Sequence, residues 1–152
     1  MGQQQLLLVI LVTILVGIAT VVAMNVFGTS AEEANRDAVR QDLLQGATAA
    51  QGIWTKPEML DGAGQDFTNL EDAVLLRRLG MPLSYASDEA DDGTNENGTY
   101  SIAGETSASE LILQGIPAGG SDNIFAVVCR DTERNWQVQL ADSESPTPHP
   151  CP

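Results

Sequence analysis

The chain has 152 residues, 43% of them apolar, and carries 21 acidic against 7 basic side chains, a formal net charge of −14. That length leaves room for about one small domain beside any membrane segment. The acidic balance argues against nucleic acid or an anionic membrane surface as partner, because the charged part of the chain repels both.

The first element is "MGQQQLLLVILVTILVGIATVVAMNVF". Leu6 to Phe27 is apolar except for Thr13, Gly17, Thr20 and Asn25, and no charge appears before Glu32. As a helix this run would span about 33 Å, the thickness of a bilayer core. A cleaved secretory signal fits poorly: there is no basic n-region, the apolar stretch is long, and "AMNVFGTSA" matches a cleavage site only loosely. N-myristoylation would need Ser or Thr at position 6, where Leu6 stands. A membrane anchor and a helix buried among copies of itself remain. No Lys or Arg flanks the run, so charge does not set its orientation.

After Gly28 the pattern becomes amphipathic. In "TSAEEANRDAVRQDLLQGATAAQGIW" the residues Val39, Leu43, Gly46, Ala50 and Ile53 recur at helical spacing and form one apolar face. Glu32, Glu33 and Asp37 stand three or four residues before Arg36 or Arg40 on another side. Thr29–Glu32 and Ser30–Glu33 fit a capping box. We expect one helix of about fifty residues, apolar over 1–28 and amphipathic over 29–54, softened at Gly17 or Gly28.

The remainder, 55–152, reads as a globular head. "KPEMLDGAGQDFTN" is a loop. "LEDAVLLRRLG" is a short helix over 69–79, with Thr68–Glu71 as capping signature and Gly80 as stop. "SYASDEADDGTNENG" is acidic and aperiodic, a surface loop. "TYSIA", "ELILQGI", "NIFAVVCR" and "NWQVQLA" are strands of an antiparallel meander over about 98–141. Trp136, Val138 and Leu140 alternate with Gln137 and Gln139, which predicts one buried and one wet face. The amphipathic helix is the natural cover for the buried face. The fold class is therefore α+β, with a four-stranded antiparallel sheet packed under a long N-terminal helix. The tail "SESPTPHPCP" is too rich in proline for helix or central strand.

An even cysteine count in a chain with a membrane-length span favours a disulfide between Cys129 and Cys151. It would close a loop of about twenty residues and contribute about 3 kcal/mol. Asn97-Gly98-Thr99 matches a glycosylation acceptor sequence, with Asn97 as the candidate. Asp88, Asp92 and Gly93 fit three places of an EF-hand-type loop, but Ala90 and Thr99 stand where ligands are needed, so no metal is assigned. Catalysis is not expected and no cofactor is implied. The one histidine, His149, sits among prolines, no phosphate-binding glycine loop is present, and the cysteines lack companions for a metal.

An apolar N-terminal helix running into an amphipathic one, then a loop, an antiparallel sheet and a two-cysteine C-terminal region resembles a type IV pilin. The likeness covers the whole chain as architecture. At the level of motif it rests on the first twenty-odd residues and on Cys129 and Cys151. It implies a subunit held as a single-pass protein in an inner membrane and handled there by pilus assembly machinery. The subunit then polymerises into a helical cell-surface filament of identical copies. Met1, Gln3, Gln4, Gln5, Leu6 and Gly17 would make the N-terminal contact and the helix core. The family usually has Glu at the fifth mature position. Here that place holds Gln5 if Met1 is first, or Leu7 if processing follows Gly2. The family's basic leader and its helix proline are not seen, and Gly17 is the only breaker within the apolar run. The competing expectation is a membrane-tethered pseudopilin or partner-binding module that forms no long fibres.

Overall fold

The computed structural model describes residues 2–120 and 122–142. The chain divides into two compact units, 1–34 and 35–152. Helix α1 (Gly2–Thr55) contributes to both.

In the first unit the backbone is helical from Gly2 onward, with no proline to interrupt it. Gly17 and Gly28 both lie in regular helix, so the expected softening leaves no break. The capping boxes at Thr29 and Ser30 start nothing, because both residues are already helical. The Thr29 hydroxyl donates backwards to the carbonyls of Asn25 and Val26, at 3.2 and 3.0 Å. A run with good propensity on both sides continues through such a site, since starting a second helix would cost a new nucleus.

The second unit is a helix packed on a sheet. Its strands are β1 (Asp92–Thr94), β2 (Gly98–Ile102), β3 (Glu110–Pro117), β4 (Ile124–Arg130) and β5 (Trp136–Asp142). They form an antiparallel meander in the order β1-β2-β3-β4-β5. The sequence predicts four of these strands. β1 is the addition, and it falls in the stretch expected as an acidic loop. It is three residues long, polar and at the sheet edge, the kind of edge that discourages further pairing. Its turn is set by Asn95, whose side-chain oxygen accepts from the backbone N–H groups of Asn97 and Gly98 at 2.9 and 3.1 Å.

The predicted apolar stripe of α1 is the cover of the sheet. Val39, Leu43, Ala47 and Ala50 are fully buried, with Ile53 and Trp54 nearly so. They share a core with Leu111, Leu113, Ala126 and Val128 on the inner face of β3 and β4. Two glycines let the layers approach. A Cβ on Gly46 would stand 2.9 Å from Met81 Sδ, and one on Gly115 would stand 2.6 Å from Val39 Cγ1. β5 is less sharply divided than its alternation suggests. Trp136 and Val138 pack on the core, but Leu140 remains 40% exposed, as befits an edge strand.

Aromatic groups close one end of the core. Trp54 Nε1 donates to the Ala108 carbonyl at 2.8 Å, and its ring meets Trp136 edge to face at 5.4 Å. The Arg130 guanidinium lies 4.3 Å from the Trp54 ring centroid. Elsewhere, Arg40 bonds Asp37 at 2.7 Å, and both Arg36 and Arg40 reach Asp142, the last residue of β5. The loop after α1 holds two 3-10 turns, Glu58–Leu60 and Phe67–Asn69. The short helix α2 (Asp72–Arg78) begins later than expected. The Thr68–Glu71 signature does not cap it. Instead Asp66 accepts from Thr68 N at 2.9 Å and caps the preceding 3-10 turn. Gly80 does stop the helix, at φ +65°.

Candidate functional site

The most unusual surface is the apolar half of α1. Sixteen large apolar side chains between Leu6 and Phe27 are exposed, all within the narrow range of 47–75%. No face of this helix is preferred. Burying one such side chain is worth about 1.5–3 kcal/mol. Even half of that over the whole run, about 12–24 kcal/mol, is as large as the roughly 5–15 kcal/mol that holds a domain together. Such a surface is not stable in water, and lipid or protein must surround it. By length and composition the helix fits a membrane span.

The two threonines within the run make no outside demand. Thr13 donates to the Ile10 carbonyl and Thr20 to the Val16 carbonyl, both at 2.8 Å. Their hydroxyls are thereby satisfied inside the helix itself. Gly17 lies between them, and a Cβ there would meet nothing within 4 Å. Thr13, Gly17 and Thr20 share one side at helical spacing. Gln3, Gln4, Gln5 and Leu6 occupy the first turns and are exposed. The first N–H groups of a helix lack internal partners, and glutamine side chains have the chemistry to accept from them. Met1 lies outside the described residues.

Asn97 is half-buried in the β1–β2 turn, directly before β2. Its Nδ2 donates to Asp42 Oδ2 at 2.9 Å, so the nitrogen that would carry a glycan is already engaged. Asp42 is a hub that no sequence pattern flagged. The same oxygen also accepts from Asn95 Nδ2 at 2.9 Å and from the Tyr100 hydroxyl at 2.6 Å. Four residues from α1, the β1–β2 turn and β2 are thus tied together. Burial pushes the Asp42 carboxyl upward, but the hydrogen bonds from Tyr100, Asn97 and Asn95 outweigh it and hold the pKa below the usual value. Burial and the Asp42 carboxylate together raise the Tyr100 phenol.

The sign of the linkage follows. Asp42 has a depressed folded-state pKa, so its contribution is fully present above about pH 3.9, its ordinary unfolded value. It is lost as pH falls through the lower folded value. Asp42→Asn should therefore weaken the head at pH 6 and narrow its loss of stability between pH 6 and pH 3. Parallel melting curves for the parent and the variant across that range test this; curves of unchanged separation would exclude the linkage.

An open concavity of about 860 Å³ lies between the start of α2, residues 88–91 and the β2–β3 connection. Glu71, Asp72, Asp88, Glu89, Asp91 and Glu105 line it, and Thr106 donates to Asp72 Oδ1 at 2.9 Å. Among the described residues no group of three or more His, Cys, Asp or Glu is disposed to hold a metal ion. The EF-hand-type spacing does not form a loop of that kind. Asp92 and Gly93 are strand residues of β1, paired with Ser101 and Tyr100.

Cys129 is buried in β4, 2% exposed, beside Glu110 of β3. Cys151, like the rest of 143–152, lies outside the described residues.

These features define an α+β chain with a long apolar N-terminal helix and a five-stranded antiparallel sheet, an architecture compatible with a pilin-like protein. Comparison with known protein families, with curated proteins and with solved structures yields no match.

Proposed function

We propose that this chain is the structural subunit of an extracellular filament of the type IV pilus kind. Its apolar helix holds it in the membrane as a single-pass protein before assembly. The same helix then packs among copies of itself, with the acidic head outside. The observation that carries this reading is the uniform exposure of Leu6 to Phe27, which suits enclosure on every side. The small side at Thr13, Gly17 and Thr20 supports it, because small residues allow helices to approach closely. Gln3, Gln4 and Gln5 take the part of satisfying the helix start and a neighbour's amine in an apolar core. The Cys129–Cys151 disulfide fastens the C-terminal segment to the head.

Shearing of intact cells tests the proposal. The chain should be recovered in fibres of uniform width, with Gly17→Leu cutting fibre yield at least several-fold while leaving membrane insertion intact. The Gly17 position has open space in the single chain, so this substitution should not touch the head fold. Recovery only as a detergent-solubilised monomer would replace the filament reading with that of a tethered pseudopilin or partner-binding module.

A further inference from the structure

The turn into β2 contains Asn97-Gly98, a side-chain amide followed by the least hindered of backbone nitrogens. This pair can react with itself. The Gly98 nitrogen bonds to the Asn97 side-chain carbonyl carbon, the carboxamide C–N bond breaks, and ammonia leaves with the Gly98 proton. Water then opens the resulting succinimide at one of its two ring C–N bonds. One opening gives aspartate, and the other gives isoaspartate, with the main chain rerouted through the side chain. Nothing but water is consumed. Water has an approach, because an open recess of about 330 Å³ is lined by Pro82, Asn95, Glu96 and Asn97.

The fold requires the glycine. Gly98 is buried, and a Cβ on it would collide with the Ile116 carbonyl oxygen of β3. A bulkier residue that would slow ring closure therefore does not fit. The head instead restrains the two reacting groups. Asn97 Nδ2 donates to Asp42 Oδ2 at 2.9 Å, which fixes the carboxamide. Gly98 N and Asn97 N both donate to Asn95 Oδ1, at 3.1 and 2.9 Å. The Asn97 carbonyl accepts from Ala118 N at 2.9 Å. Asn95 is itself fastened to Asp42 Oδ2 through its Nδ2. Ring closure needs the carboxamide to swing onto the Gly98 nitrogen, and these bonds oppose that rotation.

We propose that Asn97 is a site of spontaneous deamidation that the Asp42 hub keeps closed in the folded head and exposes when the hub opens. The change is self-sealing. The product carboxylate stands where a donor to Asp42 stood, so two like charges face each other. Isoaspartate in addition inserts a carbon into the backbone beside Gly98, where not even a Cβ has room. A head that has stayed open long enough to react does not close again as before, and the chain carries a chemical record of that opening. The inference rests on the head alone and not on the filament reading.

Peptide mass spectrometry of the full chain, incubated at mildly alkaline pH, tests this. Conversion of Asn97 in the folded protein in detergent should be at least about tenfold slower than in the same chain unfolded in guanidinium, since reaction proceeds through the open form. Asp42→Ala should raise the folded rate about fivefold or more, the scale of one or two lost hydrogen bonds. Asn95→Ala should do the same by freeing Gly98 N, and it carries the test if Asp42→Ala does not fold; near-ultraviolet circular dichroism establishes folding. Separately, Asn97→Asp should lower the Tm by several degrees, and by more than Asn97→Ala, which loses the hydrogen bond without adding a charge. Equal rates in folded and unfolded chains, or folded hub variants that react at the parent's rate, would overturn the gating. Asn97→Asp melting with the parent would overturn the self-sealing step.

Discussion

On the proposed filament reading, Val16→Asp should abolish fibres and weaken membrane insertion without removing the chain from the membrane, while leaving the head folded. Val16 stands near the middle of the Leu6–Phe27 run and is 59% exposed. A carboxylate at the centre of a span costs about 2.5–3.5 kcal/mol on insertion scales, a factor of about 100 in the insertion equilibrium. Among packed copies, the arrangement proposed above, the cost would recur in every subunit, with like charges brought close together. The substitution lies in the first compact unit, so the core of Leu43, Leu113 and Trp54 is unaffected. Near-ultraviolet circular dichroism of the head, which reports on Trp54 and Trp136, should match the parent. Val16→Leu is the control and should keep both membrane retention and assembly. Normal fibres from the aspartate variant would show that this helix is not enclosed.

The second large effect is expected at Gly115. This residue lies on β3 beneath α1, where an added Cβ would sit 2.6 Å from Val39 Cγ1 and 3.3 Å from Leu43 Cδ1. Val39 and Leu43 are themselves fully buried and have nowhere to move. Gly115→Val should destabilise the head by about 1–3 kcal/mol, the usual range for overpacking. For a domain of this size each kcal/mol lowers the Tm by about 4–8 °C. Thermal melting followed by tryptophan fluorescence would measure it. A companion Val39→Ala should recover part of the loss, because it removes the methyl groups that the new side chain strikes. If Gly115→Val melts with the parent, the close approach of helix and sheet is not what holds the head together.

The parts of the fold legible in the sequence are those with a strong period. Val39, Leu43, Gly46, Ala50 and Ile53 declared a helix face, and all are buried. β3, β4 and β5 declared themselves through β-branched and apolar runs bounded by turn residues. β1 was not legible because "DGT" has neither alternation nor apolar content, and its place is fixed by the Asn95 turn and by pairing with β2. Thr68–Glu71 misled because Asp66 competes for the same turn and wins it through Thr68 N. The apolar helix surface was visible at once, since no amphipathic alternative exists for a run without polar spacing. Asp42 was invisible for a different reason. Its partners Asn95, Asn97 and Tyr100 are more than fifty residues away along the chain, and polar networks of that kind leave no local period.

The hydroxyls of Thr13 and Thr20, turned back onto their own helix, have a thermodynamic consequence. The stretch of helix around these threonines, with no outward hydrogen-bonding appetite, does not distinguish strongly between hydrocarbon from lipid tails and hydrocarbon from neighbouring side chains. On the proposed filament reading, exchange between the two surroundings would be close to balanced, and modest forces acting elsewhere would decide its direction. The heads supply one such force. Each chain carries a formal charge of −14, so crowding them together is opposed at low ionic strength and eased once the Debye length falls to about 8 Å at 0.15 M. On the filament reading proposed above, the apolar helix is the adhesive part, and salt outside the membrane would tip the balance between dispersed and associated chains.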